Sequence, residues 1–422
     1  MTRGPSGKTV RRGVLAAALI AAAFAPTAAS SAPETCTSPC TLAGSILWTR
    51  SLPGPWTATN AVLGTIPADV PENGQAYADA GPSVAAIGYG LVVRAYDTGT
   101  GRPLWTARLH GFPADAQIVS VRVWPGVVTV GVAQVPLMAV SSSTQTTVVL
   151  SAWSGAQRRS YPAAPFGGAV AADAQHTVVV GPDAVTSYND ATGRKRWSVP
   201  TGSAAPDWRV DGGHLYIAEA AGGSLGSKPV TALRRIDLSN GSVRTIFPAG
   251  GSFQGRLSAV LRGVVLFSGE QGTTAYDGST GLELWTKAGA VPQSVDVVQG
   301  LFYLTIGSEL IGVTPLSGRP AARITGANGP GSAGVYGVRN GVALGLDQGQ
   351  LGDAWGYSVS GQRVIWNTST LPWPHYFVDL SGIGGSTSPG SQTVILTVCM
   401  QRVPTSGGGV VCRNPRLVLV ER

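Results

Sequence analysis

A glycine-flanked serine, Gly222-Gly-Ser224-Leu-Gly226, has the G-x-S-x-G spacing that raises a nucleophilic hydroxyl on a strand-to-helix turn for acyl transfer. Gly329-Pro-Gly331-Ser-Ala-Gly334 has the G-x-G-x-x-G spacing that can cradle a dinucleotide pyrophosphate. His110, His176, His214 and His375 are the imidazoles available for base or metal-ligand work, and Cys36-x-x-x-Cys40 could open a zinc site. Each chemistry needs an element to position it, and the flanking sequence supplies none. The serine elbow and the dinucleotide loop both require a strand followed by a helix, yet both lie in Gly-rich stretches without a 3.6-residue apolar period. With 58 glycines in the chain, matches this short arise by chance. The histidines have no partner in sequence, and no second Cys or His pair follows Cys36 and Cys40 closely. The sequence therefore predicts loops, packed or solvated imidazoles, no catalytic residue and no metal site.

What the chain does contain is repetition. Ala95-Tyr-Asp97-Thr-Gly-Thr100-Gly101-Arg-Pro-Leu-Trp105 recurs as Ala275-Tyr-Asp277-Gly-Ser-Thr280-Gly281-Leu-Glu-Leu-Trp285, both fitting A-x-D-x-x-T-G-x-x-x-W. Ser187-Tyr-Asn189-Asp-Ala-Thr192-Gly193-Arg-Lys-Arg-Trp197 keeps the frame with conservative changes. Arg235-Ile-Asp237-Leu-Ser-Asn240-Gly241 keeps Asp and Gly but has Thr245 in the Trp position. Degenerate copies end at Gly155, Gly318 and Gly361, the last followed by Trp366, and Gly44 to Trp48 is a half copy. The spacing averages about 45 residues, the period of a four-stranded propeller blade.

Upstream of each copy lies an apolar run, a turn glycine and another apolar run, as in Val123-Trp-Pro-Gly126-Val-Val or Val297-Val-Gln-Gly300-Leu-Phe. Short β-branched runs split this way are hairpins. Each unit thus reads as strands A and B around this glycine and strands C and D around the D-x-x-T-G turn. Ser45 to Ser51 reads as a D strand with no A, B or C before it. Tyr376 to Leu380, Thr393 to Val398 and Arg416 to Val420 read as three strands with no D after them. Joining them removes exposed edges. The expectation is all-β: an eight-bladed β-propeller of four-stranded antiparallel blades, closed by the N-terminal strand joining the C-terminal three.

The motif has a structural reading that needs no ligand. Asp accepts hydrogen bonds from turn amides, and Gly adopts the positive φ that a side chain resists. Trp then lies on the outer strand as packing between blades, which assigns Trp48, Trp105, Trp197, Trp285 and Trp366 to blade contacts rather than to ligand stacking.

This motif resembles the pyrroloquinoline quinone (PQQ) type repeat, whose tryptophan docking motif is shared by quinoprotein alcohol dehydrogenases and by the lipoprotein of the outer-membrane β-barrel assembly machinery. The resemblance implies docking roles for Trp48, Ala95, Asp97, Gly101, Trp105, Gly193, Trp197, Asp237, Gly241, Ala275, Asp277, Gly281, Trp285 and Trp366. Family enzymes also carry a vicinal disulfide, a calcium cluster with a catalytic Asp and a Trp beneath the quinone. This chain has no Cys-Cys pair and no C-x-x-C-H haem site. The resemblance therefore points to a non-enzymatic member with no cofactor, and PQQ with calcium is the alternative.

Arg3, Lys8, Arg11 and Arg12 precede an uncharged stretch from Gly13 to Ala25, with small residues through Ala32. This is an export signal over residues 1–32, and Arg11-Arg12 has the twin-arginine arrangement of the Tat route. Residues 33–43 form a linker and 44–422 the propeller domain. An uncleaved anchor is the alternative, although Pro26 interrupts the stretch. Four cysteines in an exported chain read as two disulfides: Cys36 with Cys40 and Cys399 with Cys412, or one bridge from the linker to the C-terminal hairpin. Removing four basic and no acidic residues with the signal lowers the formal charge from +8 to +4, too weak and scattered a field for nucleic acid.

The functional expectation is an exported monomeric scaffold that binds an extracellular or cell-envelope protein or ligand through its loops. A PQQ-dependent oxidoreductase is one alternative. A glycan-binding module using Trp56, Trp373, His375 or Tyr376 is another.

Overall fold

The computed structural model describes residues 46–51, 56–57, 77–113, 115–134, 145–164, 168–201, 207–220, 230–248, 250–253, 255–324, 335–339, 341–346, 354–367, 377–379, 393–404 and 410–421. All belong to the unit Thr41–Arg422. Among them there is no helix, and 33 strands form eight antiparallel sheets.

Seven sheets have four strands each, hydrogen-bonded in chain order A-B-C-D. They span 77–108, 116–163, 168–200, 208–246, 256–288, 291–324 and 335–367, and are numbered one to seven. In the terminal sheet Ile46–Ser51 pairs with Val410–Glu421, which pairs with Thr393–Pro404, which pairs with Phe377–Asp379. Trp56–Thr57 also pairs with Val410–Glu421.

The inner strands B and C form because most of their residues are apolar and buried on both faces, whereas the outer D strands, such as Pro103–Arg108 and Lys195–Pro200, leave much of their length exposed. Val264 to Phe267 are all buried: Val265 and Phe267 pack toward the fourth sheet with Tyr216 and Ile246, while Val264 and Leu266 pack toward the sixth with Phe302 and Leu304. The same division gives a core between sheets one and two around Val93, Ile118, Val130 and Leu150. It gives others between three and four around Val180, Leu215 and Ile236, and between six and seven around Tyr303, Leu310 and Trp355. Each sheet buries its apolar surface only against its neighbours, the arrangement of repeat architectures.

Three local readings need correction. Val297 and Val298 were expected to belong to strand A of their unit, but the strand Val291–Asp296 stops before them and both are exposed. The cause is Asp296, whose Oδ1 accepts from the amides of Val298 (3.1 Å) and Gln299 (3.0 Å), and so starts a turn. In the seventh sheet the left-handed residue is Gln362 (φ 49°) rather than Gly361, so Trp366 keeps the usual four-residue separation from the turn.

The last two strands also run longer than expected, to Pro404 and from Val410. Pro415 lies within the ladder opposite Cys399. Its missing N–H is tolerated because the strand's other neighbour is interrupted there, between the Ser51–Arg416 and Trp56–Cys412 pairs. Cys412 stands opposite Arg402 and Cys399 opposite Pro415 in the ladder. Cys36 and Cys40 lie outside the described residues.

Candidate functional site

The repeated turn is built on a single carboxylate. Asp97 Oδ1 accepts from the Thr100 amide (2.8 Å) and the Thr100 hydroxyl (2.7 Å), and the Gly101 amide donates to the Asp97 carbonyl (2.8 Å). Asp277 repeats this with Ser279 and Thr280. Asp237 repeats it with Ser239. Side-chain hydroxyl donors, then backbone amides, hold all three carboxyls below the ordinary Asp range. Asn189 replaces the charge with an amide oxygen and still accepts from the Thr192 amide and hydroxyl, both at 2.9 Å. The glycines that close these turns, among them Gly101 (φ 67°), Gly193 (73°), Gly241 (77°) and Gly281 (77°), are left-handed.

The tryptophan at the end of the motif reaches the turn of the next sheet. The Trp105 indole lies against Gly155, where an added Cβ would come within 2.5 Å of the ring, and its Nε1–H donates to the Ala152 carbonyl at 2.8 Å. Trp285 does the same to Gly318 and donates to the Pro315 carbonyl at 2.6 Å. Trp197 lies on Gly241, a Cβ there meeting the ring at 2.6 Å, but its indole N–H finds no acceptor among the described residues. The turn glycine thus has two tasks, positive φ and room for the preceding indole. Opposite each tryptophan, across strands C and D, stands a small residue: Ala95, Ala275, Ser187 and, for Trp366, Gly356.

Where a copy lacks tryptophan, the contact changes chemistry. Arg159 takes the Trp position of the second sheet, lies 3.4 Å from the Cβ site of Gly193, and donates to the Ala191 carbonyl at 2.7 Å. Two residues on, Tyr161 Oη donates to Asp190 Oδ1 (2.8 Å), whose Oδ2 accepts from the Thr177 hydroxyl (2.8 Å). Tyr161 also stacks on Tyr188 with ring centroids 4.0 Å apart. Burial pushes the Asp190 carboxyl above the ordinary Asp range and the Tyr161 phenol above its own.

A second tier of contacts lies at the A–B turns, and no motif announced it. The residue after the motif Asp donates its amide to the A–B turn of its own sheet in six sheets, for example Gly278 to the Gly263 carbonyl (2.8 Å) and Val359 to the Gly341 carbonyl (2.8 Å). In the sixth sheet that residue is Pro315, which has no N–H to give. Carboxylates then cross between sheets. Asp211 accepts from the Gly263 amide (3.0 Å), Asp296 from the Gly341 amide (2.6 Å), and Asp79 from the Val123 amide (2.8 Å). An Asp near the A–B turn of the first, fourth and sixth sheets was a visible signal, but its partner lies some 44 to 52 residues away.

The remaining candidates are not brought together. His176 lies 3.4 Å from Asp173 in its own hairpin, His214 contacts the Gly212 carbonyl at 3.0 Å, and His110 is exposed. Trp48 pairs opposite Leu419 and Trp366 opposite Gly356. Trp56 lies in a short strand opposite Cys412 rather than in a loop. His375, Trp373, Tyr376, Gly44, Ser224 and the loop 329–334 lie outside the described residues.

Sheets that bury both faces against their neighbours, tied by tryptophan-on-glycine contacts, define a β-propeller of PQQ-like repeats. The chain belongs to the family of the outer membrane protein assembly factor BamB, whose model matches residues 88–323. Among solved structures it is similar to BamB from Moraxella catarrhalis, at 17% identity and TM-score 0.42, covering 68% of this chain and 83% of that one. It is similar to a europium-containing methanol dehydrogenase at 10% identity and TM-score 0.49, covering 90% and 93%. A third likeness is to quinohemoprotein alcohol dehydrogenase from Comamonas testosteroni, at 12% identity and TM-score 0.45, covering 82% and 76%. No curated protein matches the chain.

Proposed function

We propose that this protein is an exported, non-enzymatic scaffold: an eight-bladed propeller, its ring closed by the N-terminal strand, that binds protein or cell-envelope ligands through its loops. The observation that carries this reading is where the repeated residues spend their chemistry. The carboxylates Asp97, Asp237 and Asp277 serve their own turns, and the indoles of Trp105 and Trp285 serve the next sheet. Membership of the BamB family favours the same class. Support for closure comes from the terminal sheet, in which Ile46–Ser51 pairs with a C-terminal strand, and from contact between Tyr77–Ala80 and Thr393–Pro404.

The A–B and C–D turns of the four-stranded sheets lie at one end, and in six of the seven they are stitched there. The connections between strands B and C leave from the other end. They include the long segments 135–144, 221–229 and 347–353, so that end is assigned as the binding face. The export signal and the docking roles of Trp48 and Trp366 belong to the same proposal. Titrating the full chain with PQQ and Ca²⁺, followed by absorbance, melting temperature and dye-linked turnover, tests the non-enzymatic part. No saturable response is expected, and saturable binding with turnover would replace the scaffold by the oxidoreductase. Photo-crosslinkers placed at Tyr89, Glu270 and Ser308 on one end, and at Thr100, Thr192 and Ser317 on the other, test the face. Partner adducts are expected from the first set only.

A further inference from the structure

The end of the sheets that carries the A–B and C–D turns is set apart by both hydrophobicity and charge. Among the described residues, nine of the ten large apolar side chains that stand exposed lie at or beside this end, and Val291 lies at the other. Trp153 (65% exposed) tips the C–D turn of the second sheet and Leu316 (69%) that of the sixth. They hold the same place in the repeat, two residues after the motif carboxylate position, which is Ser151 in one and Thr314 in the other. Val297 and Val298 tip the A–B turn of the sixth sheet. Leu282 follows the turn glycine of the fifth, and Phe247 (67%) stands beside it, its carbonyl at the Cβ site of Gly281. Single exposed apolar side chains are ordinary, but a patch of them at one end with a charged margin marks an interaction surface.

Cations form that margin. They are scattered in sequence, but the repeat gathers them: in the seven four-stranded sheets, the four residues after the turn residue hold nine basic side chains and one acid, Glu283. Arg102, Arg159, Arg194, Lys195 and Arg319 are among them, all exposed and none in an ion pair among the described residues. The Ala191 carbonyl holds Arg159 (2.7 Å) against the turn from which Arg194, Lys195 and Arg196 project. The acids of this end lie inward: Asp79, Asp190 and Asp296 are buried, and Asp97, Asp237 and Asp277 accept from their own turns. Cations on edge strands also deter edge-to-edge pairing, but acids would serve equally, and of 22 acidic residues in the chain only Glu283 takes such a place. The backbone of the apolar tips is already satisfied. The Gly155 amide donates to the Ser151 carbonyl (2.9 Å), the Gly318 amide to the Thr314 carbonyl (2.9 Å), and Asp296 takes the amides of Val298 and Gln299. Turns with their polar groups paired internally lose little on leaving water.

We propose that the turn end of the propeller docks on a membrane of anionic phospholipids. Trp153, Phe247, Leu282, Val298 and Leu316 enter the interface, where apolar bodies with charged neighbours are favoured. The marginal arginines and Lys195 meet the headgroup phosphates. Apolar tips on separate turns of one end match a flat surface, and the B–C connections then face away from the bilayer. This assignment stands whether or not those connections bind a partner.

The test places a photo-crosslinker, one site at a time, at Trp153, Leu316, Tyr89 and Glu270 of the full chain. Each protein is irradiated with vesicles of phosphatidylglycerol and phosphatidylcholine, or of phosphatidylcholine alone. Labelling is local, so the readout holds whether or not the N-terminal segment also inserts. Lipid adducts are expected at Trp153 and Leu316 and not at Tyr89 and Glu270, with more from the anionic vesicles. The triple variant Arg194→Gln, Lys195→Gln, Arg196→Gln should keep its melting temperature, because all three side chains are exposed. It should need about tenfold more anionic lipid for half-maximal labelling at Trp153, and added salt should act in the same direction. Lipid adducts from both ends alike, none at Trp153 and Leu316, or protein adducts there in place of lipid would overturn the proposal. So would labelling indifferent both to lipid charge and to the triple substitution.

Discussion

Adding one methyl group at Gly155 separates the two tasks of a turn glycine. Gly155 has φ 68°, and its Cβ site lies 2.5 Å from Cε3 and 2.7 Å from Cδ2 of Trp105. Gly155→Ala should therefore incur about 1–2 kcal/mol for the left-handed conformation and a further ~1–3 kcal/mol for displacing the indole. Trp105→Ala should cost about 3 kcal/mol, below the value for a fully buried ring, because the indole is only partly buried. In the Trp105→Ala background the clash disappears, so Gly155→Ala should then cost only the about 1–2 kcal/mol conformational part. The assay is chemical denaturation of the four proteins of the cycle, with the coupling taken from the midpoints and slopes. Equal costs of Gly155→Ala in both backgrounds would refute the idea that the glycine is there to seat the preceding tryptophan.

Further predictions concern charge and the irregular copies. The carboxyls of Asp97, Asp237 and Asp277 are held below their ordinary value of 3.8. Their contribution is therefore present above that pH and lost as pH falls through the lowered values; the triple Asn variant, copying Asn189, should show a flatter fall in melting temperature below about pH 4. Asp190 has the opposite sign: its carboxyl is raised by burial, so protonation stabilises the fold as pH falls through the raised value. Asp190→Asn should match or exceed the wild type at pH 7 and lose that advantage in acid, while Asp190→Ala, which strands Tyr161 and Thr177, should be less stable throughout; melting curves across pH check both. Arg159→Trp restores the motif over Gly193 and should add about 1 kcal/mol by denaturant titration. Deleting residues 44–51 removes the edge partner of Val410–Glu421 and should lower the melting temperature sharply, whereas an unchanged value would argue against ring closure.

The sequence by itself determined the class of fold. The D-x-x-T-G turn is local, since Asp97 bonds to a residue three positions away, and local chemistry is legible in one dimension. So were the paired apolar runs, because sheets buried on both faces leave period-two strands apolar throughout. Pairing of the chain ends could be read from a D strand with no predecessors, and Ile46–Ser51 does join the C-terminal strands. Only the tertiary structure decided what each repeat touches. That Gly155 seats Trp105, that Asp296 captures the Gly341 amide, and that Arg159 takes a missing tryptophan's place over Gly193 are contacts between units some 30 to 50 residues apart. The facing of Ser120 was equally hidden: a bulge between Ile118 and Ser120 shifts the ladder register and sets Ser120 opposite Gly131. A one-residue change of register reverses which face a side chain occupies. Register is fixed by neighbouring strands, so the sequence of one strand cannot reveal it.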